Sequence, residues 1–434
     1  MAFFSRLCVL FFIVGLVACN PSPVVPTPIP VVPRPTAAPT AAPRPTAAPA
    51  ITTIAQPVAP SSALVLWAVV DDARLEALRR LIADLSQPID VEVVVVRKSA
   101  DGLLADIRAD ALAGLPPPDL IWGTQDELGL LQRDDMLRPA TEGLANNAML
   151  PATIADATLG GQRWGTPLAA QGYLLLLYNR KLANAPPRTS DELINQARAL
   201  TSGDNYGLVA AWAEPRWFVA WLHGFGGATL TADGRPSLDT PQTVAALNLL
   251  KELRTAGPPS PSTYAEGVSL FRQGRAAFAI DGDWSLAGYR EYTDTLDLGI
   301  APLPIIPATQ KVAAPALGGV FLMYSRALDG QGLDQAHALA RALAAPEAQA
   351  RLARDLRLLP ALRTALADPA VTGDTALAAA AAQAIGAPGL PPIGALRCAW
   401  DAIAAELPPV LLGELAQADA AHNMQASAET CMQK

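Results

Sequence analysis

Apolar strands that alternate with amphipathic helices limit the possible folds of this chain more than any other feature. The runs Leu64–Val69, Val91–Val96 and Asp119–Trp122 predict three buried strands. Between them, leucines and isoleucines recur at helical spacing over residues 75–85 and 103–112. Strands that are apolar along their whole length and are joined by helices indicate a largely parallel α/β sheet with both faces covered.

A second α/β region begins near Gly172. Strands are predicted over residues 173–178 and 207–211, with a helix over 190–200 between them. The strand at 298–303 is expected to return to the first region, and the pattern from Asp334 onward is mainly helical. These patterns predict two lobes, which comprise residues 63–168 plus 297–345 (lobe 1) and 169–296 plus 346–434 (lobe 2).

The first residues predict export. Arg6 precedes the apolar run Leu7–Val17, which is too short to cross a hydrocarbon core of about 30 Å and is typical of a secretory signal. Residues 1–18 are therefore the expected signal peptide. Leu16–Cys19 resembles a bacterial lipobox, which implies cleavage before Cys19, lipidation of that residue, and anchoring at the extracytoplasmic face of the cell membrane. The alternative is an ordinary signal peptide followed by an incidental cysteine.

A linker is predicted between this anchor and the first strand. Residues 19–62 contain the lipidation site and a Pro/Thr/Ala-rich stretch in which Pro35–Ala38 repeats at Pro45–Ala48. This composition favours extended polyproline II, so that about 40 residues would hold a domain on the order of 100 Å from the membrane.

Composition and motifs exclude several classes of function. The net charge of -8 provides no basic surface for nucleic acid. The three histidines lie on predicted helices, and the chain lacks the usual hydrolase, zinc-protease and nucleotide-binding motifs. We therefore expect no catalytic residue, no metal site and no cofactor.

Besides Cys8 of the signal peptide and the lipidation site Cys19, two cysteines remain, Cys398 and Cys431. They are 33 residues apart in an exported chain, where disulfides persist. A disulfide between the C-terminal helices is favoured, and two inert thiols are the alternative.

The order and spacing of several segments resemble the extracellular solute-binding proteins of the maltose-binding type. The most specific match is a short segment before an apolar strand that ends in Tyr178-Asn179, followed by a helix that starts near Thr189. The matching segments are Pro118–Trp122, Gly165–Leu168, Leu174–Leu182, Pro187–Leu193, Glu214–Trp217, Phe271–Phe278 and Gly282–Trp284.

This resemblance implies a two-lobed periplasmic-binding-protein fold of type II, with a hinge of crossing segments and a ligand cleft between the lobes. It also implies a monomeric, non-catalytic receptor that delivers a small solute to the permease of an ABC importer. In open α/β sheets ligands bind beyond the carboxyl ends of the strands, which places strand-end residues of both lobes at the cleft.

The chemistry of these residues favours a sugar. Sugars present apolar C–H faces and hydroxyl groups, so their binders combine exposed aromatic rings with carboxylates, amides and guanidinium groups. Packing in the core is the alternative for each tryptophan, and helix capping is the alternative for Asp71; Trp164 and Trp400 are expected to be structural. The candidate ligand-binding residues are Asp71, Trp122, Gln125, Asp126, Gln171, Glu214, Arg216, Trp217, Asp283, Trp284 and Gly319.

Two other functions stay open. Clustered aspartates could bind a cationic solute such as a polyamine. The same fold could also serve as the ligand-binding ectodomain of a sensor rather than as part of an importer.

Overall fold

The computed structural model describes residues 63–433 except residues 142–145, 232, 259–262 and 391–393. The predicted signal peptide, the lipidation site at Cys19 and the linker lie outside the described residues. Within the described ranges, no helix has the length and apolar character needed to span a membrane.

The described residues form fifteen strands and fifteen α-helices. The strands are β1 (Leu64–Val69), β2 (Val93–Lys98), β3 (Leu120–Thr124), β4 (Leu137–Arg138), β5 (Thr158–Leu159), β6 (Gln162–Arg163), β7 (Thr166–Gln171), β8 (Leu174–Asn179), β9 (Tyr206–Val209), β10 (Ala276–Gly282), β11 (Leu298–Ala301), β12 (Ile305–Ile306), β13 (Lys311–Val312), β14 (Gly318–Ser325) and β15 (Leu359–Pro360). The helices are α1 (Asp72–Ser86), α2 (Leu103–Leu112), α3 (Gln125–Arg133), α4 (Pro151–Ala157), α5 (Ser190–Leu200), α6 (Pro215–Gly224), α7 (Pro241–Arg254), α8 (Tyr264–Arg272), α9 (Leu286–Tyr289), α10 (Gly330–Ala344), α11 (Pro346–Leu356), α12 (Pro369–Thr372), α13 (Thr375–Ala384), α14 (Gly394–Leu412) and α15 (Gln417–Met432).

The first sheet contains seven strands in the order β15-β7-β14-β3-β1-β2, and β4 pairs with β14. β1 is parallel to both β2 and β3, as predicted. β14 is antiparallel to β3 and to β7, so the sheet is mixed rather than largely parallel. Because β1 and β3 run in the same direction, Asp71 and Gln125 follow them at the same edge of the sheet.

The second sheet has the order β11-β8-β10-β9. Its central strand β8 is buried at every residue, and it pairs antiparallel with both β10 and β11. The strand predicted at 298–303 was assigned to lobe 1, and this assignment was wrong for β11. Its residues cover the free edge of β8, with Ile300 opposite Leu177.

The chain after residue 345 does not pack entirely with the second sheet, as its assignment to lobe 2 predicted. α11 packs against α1, where Leu352 and Leu356 join the core of the first sheet. β15 then pairs with β7 of that sheet. The apolar face of α11 therefore places this segment in the first layer, whereas α13 packs on β8 and β11.

Short connections join the two sheets. β7 ends at Gln171 and β8 begins at Leu174, so only Gly172 and Tyr173 separate a strand of the first sheet from a strand of the second. Gly172 has φ of +72°, a left-handed conformation that favours glycine. The chain crosses between the sheets again between β11 and β14, which agrees with a hinge built from crossing segments.

The C-terminal helices are joined covalently. Cys398 of α14 and Cys431 of α15 form a disulfide with their Cα atoms 5.6 Å apart. α14 and α15 pack along each other and against α7, so the disulfide ties the end of the chain to the layer that covers the second sheet.

Candidate ligand-binding site

Arg216 is the centre of a cluster of charged and aromatic side chains. It lies in the first turn of α6, and its Nη1 donates a hydrogen bond to the carbonyl oxygen of Gly172 at 2.9 Å. Its Cζ lies 5.8 Å from the centre of the Trp284 ring and 5.4 Å from that of Trp400. Burial lowers the pKa of the guanidinium, and the charges of Asp126 and Asp283 oppose that effect.

Asp283 follows β10 and binds the other backbone group of the same glycine. Gly172 N–H donates to both carboxylate oxygens of Asp283, at 3.1 and 3.3 Å. Burial raises the pKa of Asp283 to about 6, while the Gly172 hydrogen bond and the charges of Arg74 and Arg216 act in the opposite direction. The charges of two guanidinium groups thus favour the ionised form of this carboxylate.

Trp284 supplies an accessible aromatic ring beside these charges. It is 47% exposed, and a Cβ at Gly282 would overlap its ring, so glycine at that position is required for this placement. The ring of Trp217 meets it edge-on at 6.2 Å and 78°. Trp217 itself is only 6% exposed, and its Nε1 donates to the Ile280 carbonyl at 2.7 Å, so it supports Trp284 from the core.

A hydrogen-bond network holds the N–H edge of the Trp284 indole ring. Trp284 Nε1 donates to the Tyr264 hydroxyl at 2.9 Å, and this hydroxyl donates to Asp281 at 3.2 Å. Asp281 is buried and also accepts from the Tyr289 hydroxyl at 2.6 Å and from Gly282 N–H at 2.7 Å. Its carboxylate therefore positions Tyr264 and the loop, and is occupied by protein donors.

The first sheet contributes residues at the start of α3. Thr124 caps this helix in a capping box with Glu127, which places Gln125 and Asp126 just beyond β3. Asp126 retains access to solvent, but surrounding protein partly desolvates its carboxyl group and, together with Glu127, raises its pKa, whereas Arg216 lowers it. Asp126 and Arg216 thus interact across the elements that follow the two sheets.

Gln125, Gln171 and Gly319 lie around the crossing strands rather than among the exposed rings. Gln125 is buried, its Oε1 has no hydrogen-bond partner within the described part of the chain, and a Cβ at Gly318 would lie 2.9 Å from this atom. Half-buried Gln171 pairs with Gly318. Gly319 is buried, and its N–H donates to Asp156 at 2.8 Å, so its backbone is already engaged.

Trp122 was predicted to contact ligand, and the structure contradicts this. Only 1% of it is exposed, and it packs in the core of the first sheet with Leu66 and Leu322. The physical reason is its register, because it lies inside β3 rather than beyond the end of that strand.

Two other candidate residues are exposed at the starts of helices. Asp71 caps α1 by accepting a hydrogen bond from the Arg74 amide at 2.8 Å, and Glu214 lies at the start of α6.

Two residues of the cluster were missed by the sequence reasoning. Trp400 was expected to be structural, and its ring packs against the Arg216 guanidinium. Tyr264 accepts a hydrogen bond from Trp284, and the charge of Arg74, in the first turn of α1, lowers the pKa of Asp283. Tyr264 and Arg74 occupy first turns of helices, a position that alone carries no sign of ligand contact.

The fold and this cluster define an extracellular solute receptor, and comparison with known proteins agrees. A model of the bacterial extracellular solute-binding protein family matches residues 61–379, and the chain belongs to that family. This confirms that the protein binds a solute rather than catalysing a reaction, and it agrees with an extracytoplasmic location.

Individual relatives are distant. The chain is 27% identical over 322 residues to the maltotriose-binding protein of Pyrococcus abyssi, which covers 72% of this chain and 70% of the relative. It is 24% identical over 388 residues to the galactooligosaccharide-binding protein of Bacillus subtilis, with coverage of 85% and 88%.

Solved structures of the same class confirm the predicted two-lobed fold. A cyclo/maltodextrin-binding protein complexed with maltotetraose superposes with a TM-score of 0.75 at 23% identity, covering 87% of this chain and 99% of its own. The maltose-binding protein MalE of Listeria monocytogenes, in complex with maltose, gives a TM-score of 0.76 at 21% identity, with coverage of 86% and 98%.

Proposed function

We propose that this chain binds a sugar, and specifically an oligosaccharide, outside the cytoplasmic membrane and passes it to the permease of an ABC importer. In this proposal the protein acts as a monomer, is anchored through a lipid on Cys19, and closes its two lobes over the solute. Asp126, Gln171, Arg216, Asp283 and Trp284 are the predicted contacts that lie in or beside the cluster.

The accessible ring of Trp284 beside Arg216 and Asp283 is the observation that carries the proposal. An exposed tryptophan stacks on the apolar face of a pyranose, while a guanidinium and a carboxylate satisfy its hydroxyl groups. The rigid support of the ring by Trp217 and Tyr264 fits a preformed platform. Relatives named for maltotriose and galactooligosaccharide binding support the same class of solute.

A cationic solute fits the cluster less well. Arg74 and Arg216 both act on Asp283, and Asp281 is occupied by hydroxyl and amide donors. A polyamine would therefore meet two positive charges and few free carboxylates. A sensory role would use the same site, and neighbouring permease or sensor-kinase genes distinguish these two uses.

Calorimetric titration of the purified protein with maltose, maltotriose, galactooligosaccharides and spermidine tests the proposal. At least one of the sugars should bind, and Trp284→Ala should weaken that binding by about 1–3 kcal/mol, taking the range known for aromatic stacking on bases. Leu182→Ala is the matched control, because Leu182 is an exposed apolar residue outside the cluster. Binding of spermidine without any sugar binding would refute the proposal.

A further inference from the structure

The C-terminal disulfide, between Cys398 of α14 and Cys431 of α15, lies close to a residue of the candidate site. Trp400, whose ring packs against the Arg216 guanidinium, follows Cys398 by two residues in α14. At a rise of about 1.5 Å per residue, the two backbones are separated by about 3 Å along the helix axis. The covalent bond to α15 and the aromatic contact to Arg216 therefore belong to the same turn of α14.

Trp400 differs from the other tryptophans of the cluster in how its ring is held. Trp217 Nε1 donates a hydrogen bond to a backbone carbonyl, and Trp284 Nε1 donates one to the Tyr264 hydroxyl. Trp400 Nε1 is buried and has no hydrogen-bond partner within the described part of the chain. Among these residues, packing alone holds the Trp400 ring, so its position depends on where the backbone of α14 places it.

The start of α14 is packed less deeply than the rest of the helix. Residues 394–398 are exposed or half-buried, and Ala399 is the first buried residue of the helix. The other end of α14 is anchored by Leu407, Val410 and Leu411, which are buried in the core that packs on β8. The C-terminal disulfide, as a covalent bond, is therefore the strongest link between the start of α14 and a neighbouring helix.

The partner helix α15 is held in place by interactions of its own. Met424 is buried in the same core. Gln425 binds the loop before α7, since its Oε1 accepts a hydrogen bond from the Leu238 amide at 2.7 Å and its Nε2 donates one to the Pro236 carbonyl at 3.0 Å. At Cys431, the disulfide thus connects the start of α14 to a helix that is independently fixed.

We propose that the C-terminal disulfide is a positioning element of the ligand-binding site and acts on Arg216 through Trp400. The disulfide fixes the first turns of α14, and the Trp400 ring then keeps its place against the half-buried guanidinium. Contacts between a cation and an aromatic ring are strongest where both are shielded from water. The inference rests on the proposed sugar-binding function and deepens it, because it makes the affinity for the solute depend on a bond outside the site.

An NMR experiment without ligand tests the contact itself. The Nε–H resonance of Arg216, assigned by its absence in Arg216→Lys, is sensitive to the ring currents of neighbouring aromatic side chains. Trp400→Ala should shift this resonance, and joint replacement of Cys398 and Cys431 by serine should shift it in the same direction. An unchanged Arg216 resonance after loss of the disulfide would overturn the inference.

Two further samples make this experiment decisive. Reduction of the wild type with dithiothreitol replaces the serine variant if that variant does not fold, because Cys431 is exposed and Cys398 is half-buried. Met424→Ala is the matched control, since it removes a buried side chain from the same helical layer and leaves the disulfide intact. It should leave the Arg216 resonance in place, and an equal shift in this control would show general loosening of the helices and overturn the inference.

A double-mutant cycle then measures the effect on sugar affinity, by calorimetric titration with maltotriose and with galactotriose. Loss of the disulfide should weaken binding of the recognised sugar by about three- to tenfold, the range expected when a partly shielded cation–π contact is lost. In the Trp400→Ala background the same loss should change the affinity by less than about twofold, because both changes act through one contact. Equal weakening in both backgrounds, or no weakening in either, would overturn the inference.

The two experiments separate the role of the disulfide from the function on which it rests. Failure of both sugars to bind the wild type would count against the proposed function. In that case the Arg216 resonance still decides whether the disulfide positions this residue, because the NMR comparison needs no solute.

Discussion

Asp283→Asn tests the electrostatics at the point where the chain crosses between the two sheets. Burial raises the pKa of Asp283 from its usual value of 3.8 to about 6. Because the folded pKa is raised, the stabilisation from this group is complete below pH 3.8 and is lost as the pH rises through 6. At 1.36 kcal/mol for each pKa unit, the ionised group lowers the free energy of unfolding by about 2–3 kcal/mol above pH 6.

Asparagine removes this dependence without removing the acceptor for the Gly172 amide. The variant should therefore gain stability relative to the wild type between pH 4 and pH 7. At the usual unfolding entropy per residue, 2–3 kcal/mol corresponds to about 3–4 °C in Tm for a domain of this size. Differential scanning calorimetry at pH 4, 5, 6 and 7 measures the difference in Tm between the two proteins.

Asp294→Asn is the matched control, since Asp294 is an exposed aspartate of the same region. This variant removes a carboxylate of the same region without affecting the acceptor of the Gly172 amide. A constant difference between Asp283→Asn and the wild type from pH 4 to pH 7 would refute the reasoning, because it would mean that Asp283 titrates as an ordinary surface carboxyl group.

Two further predictions concern residues that stabilise the fold and lie outside the candidate site. Trp122→Ala should lower the unfolding free energy by about 3–5 kcal/mol, because it leaves a cavity at a fully buried position, and it should leave sugar affinity unchanged. Denaturant unfolding measures the stability, and calorimetric titration measures the affinity. Lost affinity at unchanged stability would contradict the assignment of Trp122 to the core. Replacing Cys398 and Cys431 together by serine should lower the unfolding free energy by about 3–4 kcal/mol, the value expected for a 33-residue loop. Equal denaturation midpoints of this variant and the oxidised wild type would count against that expectation.

Features that depend on local pattern could be predicted from the sequence. The alternation of apolar strands and helices placed β1, β2 and β3. Strand-end position pointed to Asp126 and Asp283, whose charges both act on Arg216. The strand predicted at 298–303 was assigned to the wrong sheet, because residue type does not specify which of two sheets offers an unpaired edge. In this chain β8 offers that edge.

The tryptophans show the same limit at the level of single residues. Trp122 and Trp284 both occur near a predicted strand end, but a difference of a few positions decides whether the ring enters the core or projects beyond the sheet. Trp122 lies within its strand, and Trp284 follows Gly282, which leaves space for the ring. Trp400 is separated from Arg216 by 184 positions in the sequence, and their contact arises from tertiary packing alone.

Gly172 connects the candidate site to the crossing segment directly. Its N–H binds Asp283 and its carbonyl binds Arg216, so both hydrogen-bonding groups of this residue end on charged side chains of the cluster. The two charges also act on each other, since each alters the pKa of its partner. A solute that hydrogen-bonds to either side chain must therefore compete with, or reinforce, a bond to the two-residue connection between β7 and β8. In the proposed function, solute binding to Arg216 or Asp283 would therefore act directly on the backbone that joins the two sheets.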